Sequence, residues 1–308
     1  MMGQPRGWRP TRVQALWMIG LGASCYGLIS PVMKTAFAQG YTMEGVTAAQ
    51  YFVALLFWVV AGLAVRTGTR PTGREVIQLF MLGLIGSGGT TVLYYRSLVH
   101  LPASLAIVFL FQFTWITILL EIMLERKSLT ARRWQALLMI LLGTGLAVGL
   151  LHDQWEGGVS WIGVAMALGG AVTYSVLLYG TGRIAVQTSP VRRSLFMSLG
   201  AGVPILLTTP LAAYYTAPSL AGLYGWGVVV ALLAQIAPPL LFAVAIPAVG
   251  GGAAAVLGSM ELPVAVVAAA VILKEPVGWD RWLGVALILV GVIWSERVNR
   301  RGRESPGI

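Results

Sequence analysis

Runs of about 20 apolar residues, separated by short polar connections, fill most of this 308-residue chain. Ten are visible, at 14–38, 44–65, 76–98, 102–123, 133–151, 159–181, 193–214, 219–246, 251–273 and 281–298. Wound as helices, runs of this length cross a hydrocarbon core of about 30 Å. The period-two alternation of a membrane β-barrel is absent, and the connections leave no room for a soluble domain. The pattern predicts an all-α integral membrane protein with ten transmembrane helices. Composition agrees: 57% of residues are hydrophobic and only 10% charged, against about 25% charged in a soluble domain.

The net charge of +10 raises the question of a nucleic-acid partner, and its distribution answers it. With the N-terminus in the cytoplasm, 17 of the 21 Lys and Arg fall on the cytoplasmic side. They lie in the N-terminal tail, after runs two, four and six, and in the C-terminal tail. Only Lys34, Arg96, Lys274 and Arg281 fall on the other side. Such a bias orients a membrane protein, so both termini are expected in the cytoplasm, with the protein in the plasma (inner) membrane. The basic charge reads as topology, and no nucleic acid is expected. The first run is too long for a signal-peptide core. The single cysteine, Cys25, lies within it and excludes an internal disulfide.

Two stretches read as copies. Leu124-Glu125-Arg126-Lys127, then Trp134 and Gly143, recur as Leu273-Lys274-Glu275-Pro276, then Trp282 and Gly291. Gly22-Ala23 and Tyr26 recur as Gly170-Ala171 and Tyr174, and Lys34 is echoed by Arg183. The chain therefore divides into five-helix repeats at 14–151 and 159–298. Five is odd, so the second copy enters the membrane inverted. The 4–5 loop is strongly basic, whereas in the 9–10 loop Lys274 and Arg281 are offset by Glu275 and Asp280. That neutralisation suits a loop on the opposite side.

This arrangement resembles the drug/metabolite transporter superfamily, EamA type. So does the stretch Tyr95-Arg96-Ser97-Leu98-Val99-His100-Leu101-Pro102-Ala103-Ser104-Leu105-Ala106, which is similar to that family's helix 3–4 junction. Lys34 stands where such proteins often carry a lysine. Helix 9 keeps the family's mid-helix proline as Pro263, while helix 4 carries Phe113 there. The resemblance implies a cavity enclosed by helices 1–4 and 6–9. Helices 5 and 10 would then be peripheral and available for a homodimer.

Polar groups deep in a bilayer are expensive and mark candidate sites. Glu261 lies about ten residues into helix 9, roughly 15 Å deep at about 1.5 Å per residue. It could bind a substrate amine or cation, exchange a proton, or hydrogen-bond a neighbouring helix. Gln112 in helix 4, one position from Phe111, the expected repeat-equivalent of Glu261, and Gln235 in helix 8 offer amides at similar depth, as ligands or as interhelical glue. Tyr26, Tyr174 and Trp115 could line a cavity with aromatic surface or simply pack. Lys34 and Arg183 read as snorkelling cations or gating ion pairs. Trp134 and Trp282 read as interfacial anchors, and Glu125 and Glu275 as loop acceptors.

Chemistry at a metal or by nucleophilic catalysis has no support. His100 and His152 lie near membrane faces, with no clustered ligands and no phosphate loop. The expectation is a secondary transporter, not an enzyme and without a cofactor. It would export a small metabolite, amino acid or drug by alternating access. A flippase for a lipid-linked group and, behind it, a lipid-modifying membrane enzyme are the other readings.

Overall fold

The computed structural model describes residues 10–65, 69–101, 103–125, 131–147, 160–208, 217–274 and 277–304. Its helices follow the apolar runs: α1 (Arg12–Gly27), α2 (Ile29–Ala38), α3 (Met43–Ala64), α4 (Gly73–Met81), α5 (Gly89–His100), α6 (Ala103–Leu110), α7 (Phe113–Glu125) and α8 (Ala131–Ala147). In the second half come α9 (Trp161–Thr181), α10 (Pro190–Thr208), α11 (Leu220–Ala231), α12 (Ala237–Val249), α13 (Gly251–Gly258), α14 (Glu261–Ile272) and α15 (Trp279–Glu304). A π-helical segment, Leu82–Gly88, joins α4 to α5, and a second, Leu232–Ile236, joins α11 to α12. Among the described residues seven helical stretches are long and apolar enough to span a membrane, with a shorter apolar one at Trp134–Ala147.

Helix starts follow local chemistry. Thr11, Thr42, Thr72, Ser160 and Ser219 each accept the backbone N–H three residues on, satisfying a donor that has no intrahelical partner. Large apolar side chains lie on the outside as well as in the core, and several polar ones lie inside. Trp17, Leu63, Leu138, Trp161, Leu207 and Val271 are exposed, whereas Thr114, Thr117, Ser175, Arg193, Gln235 and Ser259 are buried. A surface of that composition belongs against lipid. Trp134 and Trp282 lie on it near their helix starts, as interfacial anchors do.

Three apolar runs expected as single helices are broken. Run one divides at Leu28, where Pro31 lacks the N–H that the Gly27 carbonyl would accept. Run nine divides at Ser259–Met260, before Pro263, and the Leu262 N–H turns to the Ser259 carbonyl at 3.3 Å. Run four has a proline only at its start, Pro102, yet it divides at Phe111–Gln112. There the Gln112 amide donates to the Val108 carbonyl (2.9 Å) and the Thr114 hydroxyl to the Phe111 carbonyl (2.8 Å). These side chains take acceptors the backbone ladder would use, which loosens a helix. Pro204, by contrast, leaves α10 continuous.

The breaks in runs four and nine stand 148 residues apart, and the two π segments overlap at the same spacing. Between α8 and α15 the contacts run in opposite senses. A Cβ on Gly143 would meet Gly284 and Ile288, one on Gly284 would meet Ala147, and one on Gly291 would meet Ala136 and Ile140. Rising numbers in α8 thus face falling numbers in α15, so the pair is antiparallel. The contact of Gly143 with 284 and 288 returns, 148 residues shifted, as that of Gly291 with 136 and 140. The linker 151–158, His152 and Glu275 lie outside the described residues.

Candidate functional site

Glu261 is the first residue of α14, at the break in the middle of run nine, and its side chain is half-buried. Helix α1 reaches it because position 27 is glycine: a Cβ there would lie 2.5 Å from the Glu261 carbonyl. The carboxyl is within electrostatic reach of Tyr26 on α1, Tyr94 on α5 and Tyr174 on α9. Among the described residues no hydrogen bond or ion pair holds it. A half-buried carboxyl at a helix break, with no hydrogen bond or ion pair to hold it among the described residues, is the candidate site.

The break register identifies the counterpart of Glu261 in the first repeat. At a spacing of 148 it is Phe113, the first residue of α7, and not Phe111, so that Trp115, not Phe113, stands opposite Pro263. Phe113 packs edge-on against Tyr174 with centroids 4.7 Å apart, as Glu261 neighbours Tyr26, the repeat mate of Tyr174. Tyr26 in turn lies edge-on to Phe242 at 6.0 Å. Both tyrosines therefore stand inside the bundle and not in an interfacial belt.

Gln112 and Trp115 are brought together, but with each other. The indole N–H of Trp115 donates to Gln112 Oε1 at 2.8 Å while the Gln112 amide holds Val108. Their polar atoms are occupied within one helix turn. Gln235 is buried in the second π segment, and its backbone carbonyl accepts from Trp58 at 2.9 Å. Its side chain joins Ser87 and Thr91 around the Tyr51 hydroxyl, with Tyr51 to Thr91 at 3.1 Å. Ser87 and Gln235 are 148 residues apart, one in each π segment, and π segments are frequent at functional sites. A cavity of about 40 Å³, lined by Tyr26, Ser87, Thr181, Ser198, Gln235 and Phe242 among others, has room for one or two waters.

Toward the end of the bundle that carries the basic residues, polar side chains bind helix to helix. Arg183, at the end of α9, pairs with Glu125, at the end of α7, and stacks 4.0 Å over the Tyr179 ring. Glu125 thus has a basic partner. Arg193, fully buried on α10, donates to the Ala243 carbonyl of α12 at 2.6 Å and to the Thr181 carbonyl of α9. Glu121 of α7, also buried, accepts the Gly252 N–H at 2.9 Å and so caps α13. Lys34 is exposed on α2. Sequence reasoning passed over Tyr51, Glu121 and Arg193. Glu121 had a signal, a carboxylate within an apolar run, whereas Arg193 was indistinguishable from the other cytoplasmic basic residues.

A family model for the EamA-like transporter family matches the chain twice, at residues 13–149 and 161–296. One solved structure, described only as a protein crystal structure, matches 94% of this chain and 99% of its own with a TM-score of 0.78. At 17% identity that likeness shows the fold alone. No functionally curated protein matches. The two family matches meet at the linker between the repeats and together cover nearly the whole chain: it belongs to the EamA-like transporter family of the drug/metabolite transporter superfamily and is a multi-pass membrane transporter.

Proposed function

We propose that the protein is a secondary transporter that moves a small organic solute out of the cell by alternating access between two inverted five-helix repeats. The solute would be held at the midplane breaks beside Glu261. In this reading ten helices cross the plasma membrane, and both termini lie in the cytoplasm, as the positive-inside bias requires. The carrying observation is the antiparallel α8–α15 pair with its reciprocal glycine contacts. An antiparallel, two-fold-related contact suits halves of opposite orientation, the architecture in which binding at the repeat interface becomes alternating access. The glycines that allow close approach are used within this pair. A second copy would therefore meet the outer face carrying Leu138, Leu142, Leu283 and Val290.

The test is solute counterflow in proteoliposomes of the purified protein, with a panel of amines, amino acids and neutral metabolites, run with and without a pH gradient. Saturable exchange of at least one solute is expected. Failure of every solute to exchange sinks the transporter mechanism. A rate insensitive to the gradient would select facilitated diffusion over proton coupling.

Arg183–Glu125 acts in this reading as a cytoplasmic gate. The pair is partly exposed, with side chains 32% and 21% accessible, so its worth is about 1 kcal/mol or less. Arg183→Gln is expected to raise cytoplasmic access severalfold, read as labelling of Ser198→Cys by an impermeant maleimide in a Cys25→Ser background. The swapped pair Arg183→Glu with Glu125→Arg should restore the low rate. Equal labelling in all three proteins would remove the gate.

A further inference from the structure

Helices α3 and α4 both pack against α10 and hardly touch one another, which leaves a cleft between them on the flank of the bundle. Leu195 and Phe196 of α10 form its floor, and Val59 and Leu63 of α3 and Val76 of α4 form its walls. Its volume is about 330 Å³, within the roughly 300–1,000 Å³ of small-ligand sites. The floor comes close to α3 because position 62 is glycine: a Cβ there would meet Leu195 at 2.7 Å. Val59 and Leu63 are exposed, as is Ile77 beside Val76, so the cleft opens onto the apolar outer surface.

Two guanidiniums stand at one end of this cleft, Arg70 from the α3–α4 connection and Arg192 from the first turn of α10. Arg192 is held in place by donating to the Val65 carbonyl at 2.9 Å and the Thr69 carbonyl at 3.2 Å. The same connection is tied a second time, the Thr69 hydroxyl donating to the Gln187 carbonyl. Arg70 is exposed and, among the described residues, has no hydrogen bond or ion pair. No acid lines the cleft among the described residues. Glu75, close by in sequence, turns back onto the Thr72 N–H and hydroxyl at 2.7 and 2.9 Å. The result is an apolar trough with a positive mouth, at the end of the bundle that carries the basic residues.

That pairing of surfaces selects among occupants. A soluble phosphate would meet Arg70 but leave the trough unfilled. A zwitterionic lipid would bring an ammonium toward Arg70, Arg74 and Arg192, which repel it. An anionic phospholipid satisfies both ends, because an arginine fork matches phosphate geometry and an acyl chain matches Leu63, Val76 and Phe196. We infer that the cleft between α3 and α4 binds one anionic phospholipid, its phosphate on Arg70 and Arg192 and an acyl chain along the trough. Basic pockets between membrane helices on the cytoplasmic side suit such headgroups. The lipid bridges α3, α4 and α10, and its site is independent of whatever solute Glu261 receives.

The experiment is native mass spectrometry of the full chain released from detergent micelles, titrated with phosphatidylglycerol or with phosphatidylcholine of equal chain length. One phosphatidylglycerol is expected to be retained at least about tenfold more tightly than phosphatidylcholine, each surface cation contributing about fivefold. Arg70→Gln should lower that retention about fivefold. Arg74→Gln removes the same charge from an exposed position outside the cleft and should change it less than about twofold. Leu63→Trp, on the exposed wall, should lower it severalfold by filling the trough without altering charge. Glycerol 3-phosphate, a headgroup without chains, should fail to compete. All three positions are exposed, so these variants read binding and not folding. Equal retention of the two lipids, or equal losses from Arg70→Gln and Arg74→Gln, would reduce the contact to lipid that merely surrounds the bundle and overturns the inference. Undiminished retention in Leu63→Trp removes the chain from the trough, and competition by glycerol 3-phosphate makes the site one for a soluble anion. Either result overturns it too.

Discussion

Gly83→Val is expected to prevent assembly of the helix bundle, and Gly83→Ala to lower its stability by about 3 kcal/mol, the upper end for overpacking. A Cβ at position 83 would lie 1.8 Å from the Met197 carbonyl oxygen on α10. The contact is reciprocal, because a Cβ on Gly200 of α10 would lie 2.0 Å from the Phe80 carbonyl. Both obstacles are backbone, so no rotamer change relieves them and the two helices must separate. Separation would also dislodge the π segment that carries Ser87. The control is Gly202→Ala, on the same helix as Gly200, where a Cβ meets nothing within 4 Å. There alanine should be neutral or stabilising by up to about 1 kcal/mol, since glycine costs that much in a helix. Thermal unfolding in detergent, with monodispersity on gel filtration, reads all three. Equal melting of Gly83→Ala and Gly202→Ala would mean that α4, its π segment and α10 are less closely packed than described.

Much of this architecture is legible from hydropathy because the bilayer allows so few solutions. A lipid-exposed backbone must be helical, so run length gives spans and basic residues give sides. The repeat was legible too, from Trp134 and Gly143 against Trp282 and Gly291. Its register at the midplane was not. Glu125 and Glu275 are 150 residues apart, while the tryptophans, the glycines and the helix breaks keep 148. The second copy has two more residues between break and glutamate and two fewer between glutamate and tryptophan, a slip that the loop absorbs. Counting from the glutamates therefore pairs Glu261 with Phe111, and counting from the breaks pairs it with Phe113.

The break at Gln112 was hidden for a related reason. Without a proline, it depends on a side-chain amide finding the Val108 carbonyl, a choice made by packing and not by propensity. The same bond removes Gln112 from the set of free ligands. Glu261 could be singled out from sequence because a carboxylate at that depth has few innocent explanations. Tyr26 and Tyr174 could be singled out too, as repeat mates, but their nearness to Glu261 could not, and Tyr94 lies near the end of an apolar run, where nothing in the sequence ties it to Glu261.

Arg193→Met is expected to destabilise the bundle by about 3 kcal/mol, two charge-assisted hydrogen bonds being worth about 1.5–3 kcal/mol each before the gain from an apolar replacement. The side chain is 1% exposed and bridges two helices, one terminal nitrogen on Ala243 and the other on Thr181. Thr181 closes α9, where carbonyls lack intrahelical donors and a cation is favoured by the dipole. Arg193→Lys keeps the charge but not the fork, so one acceptor is lost and the cost should be intermediate. The neighbouring Arg192 donates to the Thr69 and Val65 carbonyls from a half-buried position. Arg192→Ala should cost about 1 kcal/mol or less. Melting temperatures are thus expected in the order Arg192→Ala, Arg193→Lys, Arg193→Met from highest to lowest. If Arg193→Met melts with Arg192→Ala, the bridge holds nothing. Because the bridge ties α9, α10 and α12 at the end taken as cytoplasmic, loosening it should also favour opening there. Arg193→Lys should therefore raise cytoplasmic labelling of Ser198→Cys more than Arg183→Gln does, since a buried two-helix bridge resists opening more strongly than a partly exposed ion pair.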